Sequence, residues 1–121
     1  MENCTYPYKR IIHDLECGAL SGRLAPGESI PSVRVLAAKY QVNSNTVQRA
    51  LKELAQKGLI VSRRSNKKVV TEDTERIHRF RQEMARERTR SFLRKMEELG
   101  YSHEQIRDLC CLKRQRNGGF L

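Results

Sequence analysis

The segment that most constrains the fold of this chain is VNSNTVQRALKELAQKGLI, residues 42–60. It contains four apolar residues at the spacing of one helical face: Val47, Ala50, Leu51 and Leu54. Asn43 or Ser44 can cap such a helix, and Gly58 can adopt the left-handed conformation at which a helix ends. One cap is sufficient, but six polar residues fill the cap and the first two turns. The excess predicts that this end of the helix meets a polar partner.

The elements around this segment predict a winged helix-turn-helix. A first helix is expected from about Tyr6 to Ser21, followed by a loop with two prolines. A short helix then begins at its cap, Ser32, and stops near Tyr40. Only three residues separate it from the next helix, which is the spacing of a helix-turn-helix unit. After that helix, two runs of β-forming residues flank the basic stretch RRSNKK, which predicts a β-hairpin.

Charge is the strongest global property of the chain, because 24 Lys and Arg against 14 Asp and Glu give a formal net charge of +10. Such a field attracts polyanions, nucleic acid before an acidic membrane surface. Aromatic residues make up 6% of the chain and Trp is absent, so there is little material for a deep ligand pocket, and no cofactor is expected. No apolar run could span a bilayer and the N-terminus lacks the pattern of a secretion signal, which predicts a cytoplasmic protein without a membrane partner.

The polar residues of segment 42–60 are of the types that read DNA. A helix in the major groove meets base edges with its N-terminal residues. Asn and Gln can bond adenine through two hydrogen bonds, Arg does so with guanine, and Ser and Thr bond bases or phosphates. The cations of the hairpin would follow phosphates or enter the minor groove. We therefore expect DNA contacts from eleven residues: Arg34, Asn43, Ser44, Asn45, Thr46, Gln48, Arg49, Arg63, Arg64, Lys67 and Lys68.

From residue 73 onward the sequence predicts a second, purely helical region. Residues 74–99 contain no Gly or Pro and predict one long helix, and Ser102 with Gln105 forms a capping box that opens a final short helix. The apolar residues of these helices are too few to cover each other, so their natural partner is the same pair from a second chain. The predicted homodimer interface consists of Ile77, Phe80, Met84, Phe92, Leu93, Met96, Leu99, Ile106 and Leu109. Residues 116–121 are expected to form a frayed tail.

The sequence thus predicts a mainly α-helical chain with one small β-hairpin. A winged helix-turn-helix DNA-binding domain is expected in residues 1–72 and a helical dimerisation segment in residues 73–121. Between Arg76 and Lys95 the long helix carries eight basic and two acidic residues. This imbalance leaves two interpretations open: additional phosphate contacts beside the DNA site, or a docking surface for an acidic effector or partner protein.

The stretch from Leu24 to Arg64 resembles the winged-helix domain of the GntR family of bacterial transcription regulators. The shared pattern lies within residues 7–70 and consists of Pro26-Gly27, Pro31-Ser32-Val33-Arg34, Leu36-Ala37, Val42-Asn43, Asn45-Thr46-Val47, Ala50, Leu54, Gly58-Leu59-Ile60 and Arg63-Arg64. The short remainder is similar to that of YtrA-type members, in which a two-helix C-terminal part forms a dimer. The resemblance implies that the start of the third helix, Arg34 and the wing contact DNA.

The sequence departs from the family pattern in two places. Val35 stands where the family usually has Glu, so the capping box with Ser32 loses one of its two bonds. The residues SNKK, 65–68, follow the arginine pair where the family commonly has Gly-x-Gly. This second difference implies stronger and less shape-selective phosphate binding by the wing.

The leading interpretation is a sequence-specific transcription regulator, a repressor that binds a palindromic operator as a homodimer. One alternative is a sensor in which Cys110 and Cys111, or a metal site at His13 and Cys17, controls release from DNA. Another is a protein that coats nucleic acid nonspecifically through its Arg-rich helix. The sequence contains no catalytic constellation, so an enzyme is not expected, and a small-molecule effector is left open.

Overall fold

The structure is a computed structural model, and it describes residues 6–115, with side chains described as far as Cys111. Within this range, five α-helices and one β-hairpin follow one another: α1 (Pro7–Ser21), α2 (Val33–Tyr40), α3 (Ser44–Gln56), β1 (Ile60–Ser62), β2 (Lys68–Val70), α4 (Thr74–Glu98) and α5 (His103–Gln115). The predicted fold class, mainly α-helical with a winged helix-turn-helix, is confirmed. The frayed tail predicted for 116–121 lies outside the described residues.

The first three helices begin and end at the residues that the sequence predicts for them. α1 ends at Gly22, which has a φ of 91° and so occupies the left-handed region. At the start of α2, the Oγ of Ser32 accepts a hydrogen bond from the backbone N–H of Val35 at 3.2 Å. The forward half of this capping box therefore survives the loss of the family's Glu. Asn43 rather than Ser44 caps α3, because its Oδ1 accepts the backbone N–H of Thr46 at 3.1 Å.

α1, α2 and α3 pack around one apolar core, and polar bonds at its edge fix their relative positions. The largest fully buried side chains are those of Ile11, Leu36, Leu54, Leu59, Val47 and Val70. The buried carboxylate of Glu16 in α1 pairs with the Nζ of Lys57, next to the end of α3, at 2.8 Å. The hydroxyl of Tyr40 in α2 donates to Asp14 in α1 at 2.5 Å. A hydrogen-bonded partner lowers the cost of burying a polar or charged group, so both bonds can join helices at the edge of the core.

The hairpin carries a third extended segment that sequence patterns do not reveal. β1 and β2 are antiparallel, with Ile60 opposite Val70, Val61 opposite Val69 and Ser62 opposite Lys68. The loop after α1 runs along the outer edge of β2, where Ser29 forms a bridge with Val69. The backbone N–H of Gly27 donates to the Val70 oxygen at 2.8 Å, and that of Ile30 to the Lys68 oxygen at 3.0 Å. This loop therefore anchors the wing to the start of α2.

The chain forms two compact units, which divide between Arg81 and Gln82 inside α4. In the second unit, the predicted capping box is present: Gln105 Oε1 accepts the Ser102 N–H at 2.9 Å, and Ser102 Oγ accepts the Gln105 N–H at 3.2 Å. The ring of His103 lies 2.6 Å from the carboxylate of Glu97. Within the described range, no helix combines the length and the apolar character needed to cross a membrane.

Candidate nucleic-acid interface

α3 places polar residues on the face opposite its apolar stripe. Ser44, Asn45 and Gln48 are exposed there, whereas Thr46 is half-buried. Asn43 is also exposed. Its side-chain Oδ1 accepts the backbone N–H of Thr46 and so caps the helix, which leaves its side-chain NH2 group for a partner. The first turn of α3 contains no acidic residue, so the positive end of the helix is available to a phosphate.

Arg34 occupies the second position of α2 and is exposed. Its side chain makes no hydrogen bond or ion pair within the described part of the chain. The first turn of α2, like that of α3, lacks acidic residues. The guanidinium of Arg34 is therefore exposed and unpaired within the described part of the chain.

Two of the four cations of the wing have partners among the described residues, and two do not. The guanidinium of Arg63 lies 3.2 Å from the carboxylate of Glu72, and the Nζ of Lys68 donates to the Oγ of Ser62 at 2.9 Å. Arg64 and Lys67 are exposed, and neither side chain has a hydrogen bond or ion pair with any described residue. Arg64 and Lys67 thus have no described partner, whereas contacts within the chain hold Arg63 and Lys68.

A groove with a volume of about 870 Å³ separates α3 from the wing. Its described lining contains three lysines and no acidic residue: Ser29, Ile30, Pro31, Ser32, Val33, Gln48, Leu51, Lys52, Ala55, Ser65, Asn66, Lys67 and Lys68. The lining combines apolar side chains with hydroxyl, amide and ammonium groups. This combination suits a sugar-phosphate strand, which presents apolar ring faces together with regularly spaced negative charges.

Arg49 does not face this groove. Its guanidinium carbon lies 4.2 Å from the centre of the Tyr8 ring in α1, on the other flank of α3. The predicted DNA-binding residues are thus divided: Asn45 lies on the outer face of α3, Gln48 on its wing side and Arg49 on its α1 side.

This surface belongs to a winged helix whose sequence matches the model of "Bacterial regulatory proteins, gntR family" over residues 7–69. The chain belongs to the GntR family. The match includes α1, the helix-turn-helix and nearly the whole wing, which are the elements that form the surface described above. The predicted resemblance is therefore confirmed, and the chain is related to DNA-binding transcription regulators rather than to enzymes.

Individual transcription regulators are similar to half or more of this chain. The uncharacterized HTH-type transcriptional regulator YhcF of Bacillus subtilis is 34% identical over 83 residues, which are 69% of each chain. The HTH-type transcriptional repressor YtrA of the same organism is 38% identical over 66 residues, 54% of this chain and 51% of YtrA. A solved GntR family transcriptional regulator from Listeria monocytogenes is 32% identical, covers 94% of this chain and 98% of its own, and superposes with a TM-score of 0.81.

Beyond the region matched by the GntR model, most of the residues predicted for the dimer interface remain accessible. Phe92, Leu99 and Leu109 are exposed, and five others are half-buried: Ile77, Phe80, Met84, Leu93 and Met96. Ile106 differs from them, because it is only 3% exposed within the single chain. Its side chain is buried within the single chain, and its contribution to a dimer interface remains a prediction.

The two candidate sites of the sensor alternative lie on different helices, α5 and α1. Cys110 and Cys111 are exposed free thiols on α5. In α1, the Sγ of Cys17 lies 3.7 Å from the Nε2 of His13. The described residues contain no group of three or more His, Cys, Asp or Glu side chains that could hold a metal ion.

Two residues of this surface are absent from the sequence-based list. Lys52 follows Gln48 by four positions and Asn45 by seven, so helical spacing alone could have placed it on the same face. Tyr8 could not be found in this way, because its contact with Arg49 depends on how α1 packs against α3.

The tip of the wing also differs in one respect from what its composition suggests. Ser65 and Asn66 both have a φ of 61°, a region that glycine adopts without steric cost, so the tip turns tightly without the family's glycines.

Proposed function

We propose that this chain is a repressor that binds a palindromic operator as a homodimer, with α3 in the major groove and the wing on the adjacent strand. The observation that carries the proposal is the acid-free surface formed by the start of α3, the groove and the wing tip. A surface of this kind lowers the free energy of binding to a phosphate backbone and brings amide side chains to base edges.

The residues divide into two roles in this proposal. Base edges are read by Asn45 and Gln48, with Ser44 and Thr46 bonding the nearest phosphates or bases. Charge is supplied by Arg34, Arg64 and Lys67, whose side chains have no described partner, and by Lys52 and Lys68 in the groove. Asn43 contributes mainly as the cap, and Arg63 contributes after it exchanges Glu72 for a phosphate.

Dimerisation is supported by the exposed apolar residues of the consecutive helices α4 and α5, which together are called the helical hairpin. A two-fold dimer would present two α3 helices to half-sites separated by about 34–36 Å, one turn of the duplex. Repression is supported by the similarity to YtrA, which is named a repressor. A protein with this role would act in the cytoplasm, where bacterial DNA lies.

Selection from a pool of random duplexes tests the proposal directly. The full chain should enrich an inverted repeat, and sedimentation should show two chains on each selected duplex. A protein that coats nucleic acid nonspecifically would enrich no sequence. Alkylation of the cysteines or addition of zinc should leave the affinity for the selected duplex unchanged, because neither group belongs to the proposed interface.

Two matched substitutions on α3 test the reading residues. Asn45→Ala should weaken binding to the selected duplex by about 1–3 kcal/mol while sparing random duplex. Gln56→Ala removes a comparable amide three turns further along α3 and should change neither affinity. An equal loss for Asn45→Ala on every duplex would contradict the reading role.

The wing is tested by the dependence of affinity on salt. Replacing Lys67 and Lys68 by Ala should reduce the slope of log K against log salt by about two phosphate contacts. Fluorescence anisotropy over a range of salt concentrations measures this slope. A slope equal to that of the unsubstituted protein would remove both lysines from the interface.

A further inference from the structure

The two flanks of α3 hold neighbouring side chains in different ways. Gln48 lines the open groove toward the wing, whereas Arg49 lies over the ring of Tyr8 at 4.2 Å. A guanidinium at this distance from a ring centre is attracted by the negative face of the ring. Arg49 is otherwise exposed, so its guanidinium is restrained on one side and accessible on the other.

Tyr8 is itself fixed by a series of polar contacts that crosses from α1 to α3. Its hydroxyl donates to one carboxylate oxygen of Glu53, and the other oxygen of that carboxylate lies 3.8 Å from the Nζ of Lys57. Lys57 in turn pairs at 2.8 Å with the buried Glu16. The hydrogen bond to Glu53 is the main cause that raises the pKa of Tyr8, so the hydroxyl remains a donor at neutral pH.

We propose that Tyr8 is a positioning residue for sequence recognition, because its ring holds Arg49 on the α1 side of α3. This inference rests on the proposed function. An unrestrained arginine at an exposed helix position can reach phosphates of any sequence. A restrained guanidinium has one position and orientation, so it contributes to binding only where the DNA presents an acceptor at that position.

The expected effect is a loss of selectivity rather than a loss of binding. Tyr8→Leu should lower the ratio of affinities for selected and scrambled duplexes about threefold to tenfold, the fold-change associated with ordering one long side chain at an interface. The freed arginine should also steepen the salt dependence on scrambled duplex by about one phosphate contact. A residue that only stabilised the fold would change neither quantity.

A double-substitution cycle isolates the contact between the two residues. The full chain and its Tyr8→Leu, Arg49→Ala and doubly substituted variants are titrated with a duplex selected by the unsubstituted protein and with a scrambled duplex of equal composition. Tyr8→Leu should reduce selectivity in the parent and have no further effect in the Arg49→Ala background. Tyr8→Phe keeps the ring but loses the hydroxyl that bonds Glu53, so it should reduce selectivity less than Tyr8→Leu does.

Tyr40→Leu is the matched control, since Tyr40 also lies near two cations and bonds a carboxylate of α1. It should lower the unfolding temperature without changing the ratio of affinities. If Tyr8→Leu does not fold, Arg49→Lys removes the planar group and should show the same loss of selectivity. The positioning role of Tyr8 would be overturned if selectivity were unchanged in Tyr8→Leu or in Arg49→Lys. It would also be overturned if Tyr8→Leu caused the same loss with and without Arg49. None of these outcomes would contradict the proposed function. A parent protein without sequence preference would overturn the proposed function as well.

Discussion

The winged-helix unit and the helical hairpin that follows it differ in how much of their apolar surface they cover themselves. Of the sixteen buried hydrophobic residues in the described part of the chain, fifteen lie between Ile11 and Val70. Ile106 is the remaining one. α4, all of whose side chains are described, contains no buried residue. The winged helix therefore has a core of its own, whereas α4 and α5 leave apolar side chains available to another surface.

This difference separates two ways in which a helix gains stability. α3 is stabilised by the burial of one complete face, so the residues on its outer face are not needed for stability and can serve binding. α4 and α5 have good caps and many helix-forming residues but little burial, and propensity alone supports helices only marginally in water. We therefore expect α4 and α5 to gain more stability from contacts beyond their own two helices than the winged helix does.

The largest expected difference between the units concerns two leucines. Leu54 is 1% exposed and Leu99 is 72% exposed. Leu54→Ala should lower the free energy of unfolding by about 2–5 kcal/mol, because it removes buried methyl groups and leaves a cavity. Leu99→Ala should change it by less than about 0.5 kcal/mol at concentrations where the chain is monomeric. Urea denaturation measures both, and similar losses would mean that the hairpin has a core comparable to that of the winged helix.

A second prediction concerns association through the hairpin. Replacing Phe92, which is 44% exposed, and Leu99 by Ser should weaken a dimer by about 1.5–3 kcal/mol for each side chain withdrawn from the interface. Sedimentation equilibrium should then report the mass of one chain. Val35→Ser provides the control, since Val35 is an exposed apolar residue of the winged-helix unit and its loss should leave the mass unchanged. If the double substitution also leaves the mass unchanged, the hairpin is not the dimer interface.

The same contrast explains how much of the fold the sequence predicts. Helix limits follow from local chemistry, because each capping or terminating residue contacts backbone groups only a few positions away. The sequence therefore predicts the helix ends at Gly22, Asn43, Gly58 and the Ser102–Gln105 pair. The core stripe of α3 follows from helical periodicity in the same way. These are contacts between neighbours in the chain.

The features that the sequence does not predict are contacts between distant segments. The bridge of Ser29 to Val69 joins residues forty positions apart, and the stacking of Arg49 on Tyr8 joins two different helices. Residue type indicates that Arg49 is suited to DNA, but only tertiary packing determines the direction in which its side chain points.

A third, smaller effect tests the polar bonds at the edge of the winged-helix core. Burial, followed by its hydrogen bond to Asp14, raises the pKa of Tyr40 above its ordinary value of 10.0. Tyr40→Phe should lower stability by about 1 kcal/mol at pH 7, where the hydroxyl is a donor in the folded chain. Tyr101→Phe in the hairpin should have no effect, because the Tyr101 hydroxyl has no described hydrogen-bond partner.

The sign of the pH dependence follows from the raised pKa of Tyr40. The unfolded chain loses this proton near pH 10 and the folded chain only at higher pH, so the contribution is complete below pH 10 and declines as the pH rises further. The stability difference between the parent and Tyr40→Phe should therefore shrink in alkaline solution. Thermal unfolding at pH 7 and above pH 10 measures it, and a difference that grows with pH would contradict this assignment.

The smallest predicted effect has opposite signs in the two units. Ser65 at the wing tip has a φ of 61°, which strains a residue with a side chain, whereas Ser91 lies inside α4. Ser65→Gly should raise the free energy of unfolding by about 0.5–1 kcal/mol, because relief of the left-handed strain exceeds the added freedom of the unfolded chain. Ser91→Gly should lower the helicity of the hairpin and its stability by a similar amount, about 0.5–1 kcal/mol. Chemical denaturation followed by circular dichroism measures both changes. A loss of stability in Ser65→Gly would show that the wing tip is not held in the left-handed conformation, and the tight turn without glycine would then need another explanation.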